Sequence, residues 1–355
     1  MTSAFAFALE ALLNKQEEED KKDTALTVSM FQWKKWAAIA AAIILLFTIG
    51  GYFLHVSRST APTVAITHPI LQDVPPGRNK AILTLADGSH IVLDNAAKGS
   101  LAQQGYTKII KLDSGRLAYN TSPDPTMSGP TQPAAAYNTL TTPRGGQYQL
   151  ELPDGTRVWL NAESSITYPV SFTGKDRSVR ISGEVYFEVA RDKNKPFHVK
   201  VPVRGDIPGK PNDMDITVTG THFNVNAYPD ELLVRTTLLE GGIKVSKGNK
   251  TSLVKPGEQT RLNAAGEMNV IGDVDVEEAV AWKNGLFQFN HADLELVMRQ
   301  LSRWYDVEIV YEKNIPKMDF GGKMQRDLHL ADILEILEKT DVHFKIVGKK
   351  IIVMP

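Results

Sequence analysis

Residues 148–162 read YQLELPDGTRVWLNA. Apolar and polar side chains alternate on either side of Asp154-Gly155, as in two strands buried on one face, and Asp-Gly accepts the positive φ of a tight hairpin turn. The stretch ILTLADGSHIVLDNA at 82–96 repeats the design: Asp87-Gly88 answers Asp154-Gly155, Ser89 answers Thr156 and Leu93 answers Leu160. This weak internal repeat points to a repetitive β architecture. Outward from the two hairpins, the pattern predicts strands at 107–112, 115–119, 177–181, 185–189, 197–201, 216–218, 223–228, 232–238, 243–245 and 258–262. Gly183, Gly220, Gly241, Gly242 and Gly257 punctuate them as turn residues, where a missing Cβ relieves the backbone. Residues 121–137 and 204–215 are polar, Pro- and Gly-rich loops. Nothing between 80 and 270 carries a helical stripe. The expectation is an all-β domain over 81–270, sandwich-like or solenoid-like.

Near residue 275 the pattern changes. Leu286–Phe289 reads as a strand, and Asp293 can cap a helix whose apolar positions are Leu294, Val297, Met298 and Leu301. Strands at 307–310 and 318–320 follow. A second helix over 328–337 carries Leu330, Ile333, Leu334 and Leu337, with Asp332 in its first turn, where the helix dipole favours it. Residues 342–346 and 350–353 close the chain as a hairpin around Gly348. The order predicts a βαββαβ module over 275–355, with two helices on one face of a small sheet.

At the other end, WAAIAAAIILLFTIGGYFL (36–54) holds no charged residue. As a helix it spans roughly 28 Å, close to the hydrocarbon core of a bilayer. Lys34 and Lys35 abut it on the N-terminal side, whereas Arg58 is the nearest basic residue beyond it, so the positive-inside bias puts the N-terminus in the cytoplasm. The chain reads as a single-pass inner-membrane protein with a short cytoplasmic segment (1–35), a transmembrane helix (36–54), a periplasmic linker (57–80) and a periplasmic bulk. Within 1–35, Phe5, Leu9, Leu12 and Leu13 lie at helical spacing and can form a small apolar face that fits a partner's groove.

Chemistry is poorly signalled. The net charge of -1 leaves no basic footprint for direct contact with nucleic acid. There is no cysteine, which removes disulfides and thiolate metal sites. The 8 histidines are scattered without metal-ligand spacing, and no serine stands in a GxSxG elbow. Glu184 and Glu188 share a strand face by alternation, which alone does not make an acid–base pair. Thr142-Pro143-Arg144-Gly145-Gly146 is Gly-rich but lacks the Lys-Ser/Thr ending and following helix of a phosphate loop. Trp159 alternates with core positions, and Trp304 follows the first C-terminal helix and is placed to staple it to the sheet. No enzymatic activity is expected.

Several consecutive segments resemble a known family. NTLTTPRGGQYQLELPDGTRVWLNAESSITYP (138–169), SVRISGEVYFEVARDKNKPFHV (178–199), VTGTHFNVNAYPDE (218–231), TTLLEGGIKV (236–245) and LVKPGEQTRL (253–262) are similar to FecR-type anti-sigma factors and sigma regulators of the Bacteroidetes form. The tail AWKNGLFQFNHADLELVMRQLSRWYDVEIVY (281–311) resembles the domain attached to them there, itself similar to the short N-terminal domain of secretins and TonB-dependent transducers. The resemblance implies a relay. The periplasmic signalling domain of an outer-membrane TonB-dependent transporter contacts a surface within 275–355. The signal crosses the inner membrane and reaches an extracytoplasmic-function sigma factor, with Phe5, Leu9 and Leu12 as the candidate contacts and a periplasmic or intramembrane protease as a further partner. No cofactor is implied. The family generally has a longer cytoplasmic helical domain than residues 1–35. A start placed too late, a minimal sigma-binding helix and a loss of sigma control all fit that difference. The alternative from another class is a membrane-tethered periplasmic module that binds carbohydrate or protein without a transcriptional role.

Overall fold

The computed structural model describes residues 73–105, 107–113, 115–121, 136–203, 213–339 and 341–355. The expected transmembrane stretch 36–54, the segment 1–35 with Phe5, Leu9 and Leu12, and residues 57–72 of the expected linker lie outside the described residues. Among the described residues no helix is long and apolar enough to cross a membrane.

Both hairpins form as the sequence reads them. Ile82–Thr84 pairs antiparallel with His90–Val92, and Gly146–Glu151 pairs antiparallel with Arg157–Leu160. The turns are built alike. Gly88 and Gly155 take φ of 84° and 81°, the Leu85 and Leu152 N–H groups donate across the turn to Ser89 and Thr156 carbonyls, and Asp87 and Asp154 accept from the Ser89 and Thr156 N–H groups. The copies nevertheless lie in different sheets.

The first sheet runs through His90–Val92, Ile82–Thr84, Tyr137–Thr142, Ser164–Pro169, the first half of Arg177–Glu188, Phe197–Val201, Met214–Val218, Ile243–Lys247 and Lys250–Val254. The second runs through Gly99–Gln104, Thr107–Asp113, Arg116–Thr121, Gly146–Glu151, Arg157–Leu160, the second half of Arg177–Glu188, His222–Ala227, Leu233–Glu240, Gln259–Asn263 and Met268–Ile271. Both contribute to one core, which includes Leu83, Leu140, Ile166, Phe197 and Ile216 from the first and Ile109, Leu150, Leu160, Phe187 and Phe223 from the second. Each fully buried Leu, Ile or Phe contributes about 1.5–3 kcal/mol relative to exposure.

The expected break at Gly183 is absent. Arg177–Glu188 is one strand of 12 residues that changes sheets in mid-course: Ser182 pairs with Ser165 in the first, and Gly183 pairs with Ala227 in the second. Gly183 has φ of 81°, and a Cβ there would meet Ser164 Oγ at 2.4 Å. A positive-φ glycine with a partner strand on both sides makes a bend and not a turn.

The C-terminal part begins with helix α1 (Val276–Val280), whose cap Asp275 accepts from the Glu277 and Glu278 N–H groups, and a 3₁₀ turn over Ala281–Asn284. Strand Leu286–Asp293 leads into helix α2 (Leu294–Tyr305), which Asp293 caps as expected by accepting from the Leu296 N–H at 2.7 Å. Strands Glu308–Tyr311 and Asp319–Gln325, helix α3 (Leu330–Leu337) with Asp332 in its first turn, and strands His343–Val347 and Lys350–Met354 complete the chain. The single small sheet of the βαββαβ expectation is replaced by two. Leu286–Asp293 pairs with Asp319–Gln325, and Lys350–Met354 lies between Glu308–Tyr311 and His343–Val347. The closing strand is paired on both its edges, so Leu286–Asp293 does not pair with it. A second core holds this part together, formed by Phe287, Phe289, Val297, Leu301, Trp304, Leu330, Ile333, Ile351 and Val353 among others. Contacts tie the described residues, from Asp73 to Pro355, into one unit.

Candidate functional site

The outer face of the second sheet is where the two cores meet. Along Arg177–Glu188, Val185 and Phe187 point into the β core, so Glu184, Tyr186 and Glu188 face out. Register sets the neighbours: Glu184 lies opposite Asn226, and Tyr186 lies between Asn224 and Trp159. The C-terminal part covers this row, and Glu184 becomes a buried carboxylate. It accepts from the Nδ2 groups of Asn161 at 2.8 Å, Asn224 at 3.0 Å and Asn226 at 3.2 Å. Burial pushes its pKa above the usual carboxylate range, and the amides and the Arg303 charge offset only part of that push.

The covering side chains are aromatic and basic. The Trp282 indole N–H donates to Asn224 Oδ1 at 3.2 Å. Lys283 lies 4.5 Å from the Trp159 ring centroid and 4.4 Å from that of Tyr186, and its ammonium reaches Glu188 at 3.4 Å. Glu188 also pairs with Arg157 at 2.6 Å, so it serves a surface ion pair and not an acid couple with Glu184. Arg326 is buried with its guanidinium 3.8 Å from the Trp304 ring centroid. It donates to the Trp282 carbonyl and to Asn161 Oδ1, each at 2.9 Å. Burial lowers its pKa to about 10. Trp304 lies within α2, and its indole N–H donates to the Arg326 carbonyl at 2.8 Å.

Helix α2 is held from two directions. Arg299 and Arg303, one turn apart, both bind Glu231, whose side chain is 2% exposed, at 2.9 and 2.6 Å; Arg303 also pairs with Asp230 at 2.8 Å. Burial pushes the Glu231 pKa up, but the hydrogen bonds from Arg299 and Arg303 more than reverse this and hold it below the usual range. At the C-terminal end of α2, Arg144 donates to the Ser302 carbonyl at 2.7 Å and the Val307 carbonyl at 2.8 Å, and the Gly145 N–H donates to the Arg303 carbonyl at 2.8 Å. The Gly-rich 142–146 stretch is thus a clamp on the C-terminal end of α2, with the Gly145 N–H meeting the Arg303 carbonyl in its last turn and Arg144 bridging the Ser302 and Val307 carbonyls.

Residues 73–80, the end of the stretch read as linker, are also built in. Asp73 Oδ1 accepts the Ala331 N–H at 3.1 Å, and Asp73 Oδ2 lies 2.8 Å from His329 Nδ1. The Leu330 N–H donates to the Val74 carbonyl at 3.1 Å, and Val74 packs on the C-terminal core. Gly77 lies against Trp304 so closely that a Cβ would come within 2.6 Å of the ring. Arg78–Asn79 pairs in parallel with Gly146–Gln147.

Beside the junction lies a polar cleft of about 500 Å³ lined by Asn226, Arg235, Gln259, Arg261, Glu278 and His291, among others. Phe, Tyr and Trp are absent from its lining, so it offers no stacking platform to a sugar. Among the described residues no group of His, Asp and Glu could hold a metal ion. Sequence reasoning missed the buried roles of Glu184, Arg303 and Arg326. The one available signal was the pair of arginines at i and i+4 on an otherwise amphipathic helix, which marks one basic stripe beside an apolar one.

The FecR protein family model matches residues 138–244, and the FecR C-terminal model matches residues 286–353. Two crystal structures of a candidate anti-sigma factor from Parabacteroides distasonis are similar to the chain. The first, at 1.65 Å resolution, is 30% identical with a TM-score of 0.54 and covers 61% of this chain and 97% of its own. The second, at 2.50 Å, is 29% identical with a TM-score of 0.54 and covers 61% and 98%. No curated protein matches.

Proposed function

The chain belongs to the FecR family, whose members regulate and do not catalyse, and on that premise we propose that it is a transmembrane anti-sigma regulator. In this reading residues 36–54 cross the inner membrane once. Residues 1–35 face the cytoplasm and hold an extracytoplasmic-function sigma factor through Phe5, Leu9 and Leu12. The bulk of the chain lies in the periplasm, where 275–355 receives the signalling domain of a TonB-dependent outer-membrane transporter. Docking changes the access of a protease to the chain, and the freed inner fragment alters sigma-factor activity. No cofactor or nucleic acid takes part.

The observation that carries this reading is the succession of two FecR parts on one chain, with the second joined to the first through buried charge. Such a junction favours passing a docking event from one part to the other over leaving it local. The C-terminal sheet offers a docking edge: Glu308–Tyr311 and His343–Val347 flank it, and Val310, Tyr311 and Val347 are exposed there.

Capture of the tagged full-length chain from host membranes tests the proposal. The sigma factor should co-purify, and the transporter's signalling domain should bind the full chain but not one lacking 275–355. Capture without any sigma factor, together with undiminished binding by the shortened chain, overturns it.

A further inference from the structure

We propose that residues 73–80 form a releasable strap that couples the C-terminal part directly to the chain leading to the membrane. The inference rests on the relay above and adds where its force is applied. The sequence places these residues between the stretch read as spanning and the β domain, so a direct run into the β core at Ala81 and Leu83 would be the simplest course. The chain goes instead to the C-terminal part first. Asp73 supplies the first-turn acceptor that α3 lacks, because its own cap residue, His329, makes no side-chain capping bond. This is an N-cap delivered from far away in sequence, reinforced by the Asp73–His329 contact and the Val74 carbonyl. The strap then crosses the Trp304 ring at Gly77, where no side chain fits. It joins the second sheet only at Arg78, whose N–H donates to the Gly145 carbonyl at 3.0 Å.

The seat is made of parts that also build the junction. Trp304 carries Arg326 over its ring, and Gly145 clamps the end of α2. A partner that tilts α3 or shifts Trp304 therefore lifts the strap without unfolding either core. The strap is held on the C-terminal part by one backbone hydrogen bond, one carboxylate and one shape fit, and at its far end by the Arg78 and Lys80 N–H groups donating to the Gly145 and Gln147 carbonyls. Its full release frees a short extended segment with two basic residues, Arg78 and Lys80.

Trypsin cuts after those residues, which makes the strap its own probe. The test uses the purified full-length chain in detergent and two variants, Asp73→Ala and Gly77→Val; Gly77 has no positive φ, so valine acts there by contact with Trp304 alone. Fragments beginning at Asn79 and Ala81 should form at least tenfold faster in both variants, with cutting inside the β domain unchanged. The same variants in cells should shift sigma-dependent transcription toward its induced level without inducer. Unchanged cutting at Arg78 and Lys80 in both variants overturns the strap. Faster cutting with transcription still fully inducer-dependent overturns the coupling. Cells in which removing the chain leaves transcription unaltered refute the relay itself, and the trypsin result then still decides whether the strap exists.

Discussion

Glu184 is a carboxylate placed under a lid, and its surroundings only partly compensate. Three amide donors satisfy its oxygens, yet burial raises its pKa. The folded protein therefore binds this proton more readily than the unfolded chain does. The consequence is that stability falls as pH rises from the usual carboxylate range through the raised value. Glu231 acts in the opposite sense and in a lower window: its depressed pKa contributes stability above the usual range that is lost only as pH falls through the folded value. Urea unfolding at several pH values should show the first slope in the wild type and not in Glu184→Gln. At neutral pH Glu184→Gln should cost less than Glu184→Ala, because it keeps one acceptor oxygen and the Asn226 amide, whose Oδ1 is buried without a partner, can turn over to accept from the new amide. Glu184→Ala leaves three amides unpaired and should cost about 1–3 kcal/mol.

At the scale of elements, the strand Arg177–Glu188 decides how the two sheets are joined. Val179 and Ile181 before Gly183, and Val185, Tyr186 and Phe187 after it, are good strand formers, and the one glycine allows the strand to serve both sheets. Gly183→Ala meets two obstacles, a left-handed backbone that costs an L-residue about 1–2 kcal/mol and a Cβ 2.7 Å from the Glu163 carbonyl oxygen. A loss of more than about 2 kcal/mol of unfolding free energy, read from denaturant unfolding, is expected, larger than for Ala at Gly242, which has open space. Helix α2 is the corresponding element on the other side. Near its C-terminal end the Arg303 carbonyl accepts the Gly145 N–H and the Ser302 carbonyl accepts Arg144, both from the β domain, so that helix end is held by residues distant in sequence.

For the whole molecule, two cores share one junction. Arg303 is the residue that most joins them, with its side chain 6% exposed against a Glu231 that is 2% exposed. Removing one partner of such a pair typically costs about 3–5 kcal/mol; Arg299, which keeps two hydrogen bonds to Glu231, should hold Arg303→Ala near the lower end. Calorimetry on the wild type should give one transition. The variant should give two, with the C-terminal part, which holds Trp304, unfolding first. A single unbroken transition in Arg303→Ala would show that the cores are joined mainly elsewhere.

The amino-acid sequence alone determined what depends on near neighbours. Alternation around Asp87-Gly88 and Asp154-Gly155 placed both hairpins, the apolar spacing after Asp293 and Leu328 placed both helices, and the change of pattern near 275 separated two kinds of structure. These features follow from turn chemistry, caps and periodicity within a few residues. The run of FecR-like segments identified the family by the same local reading. Only the tertiary structure decided which sheet each hairpin joins, that Gly183 bends a strand instead of ending it, and that the C-terminal strands form two sheets. It also brought together Glu184, Arg326, Arg303 and Glu231, and it carried residues 73–80 over Trp304. Each of these depends on which surfaces are buried against one another across long separations, and local sequence holds no record of that: a charged side chain reads the same whether water or a second core will cover it.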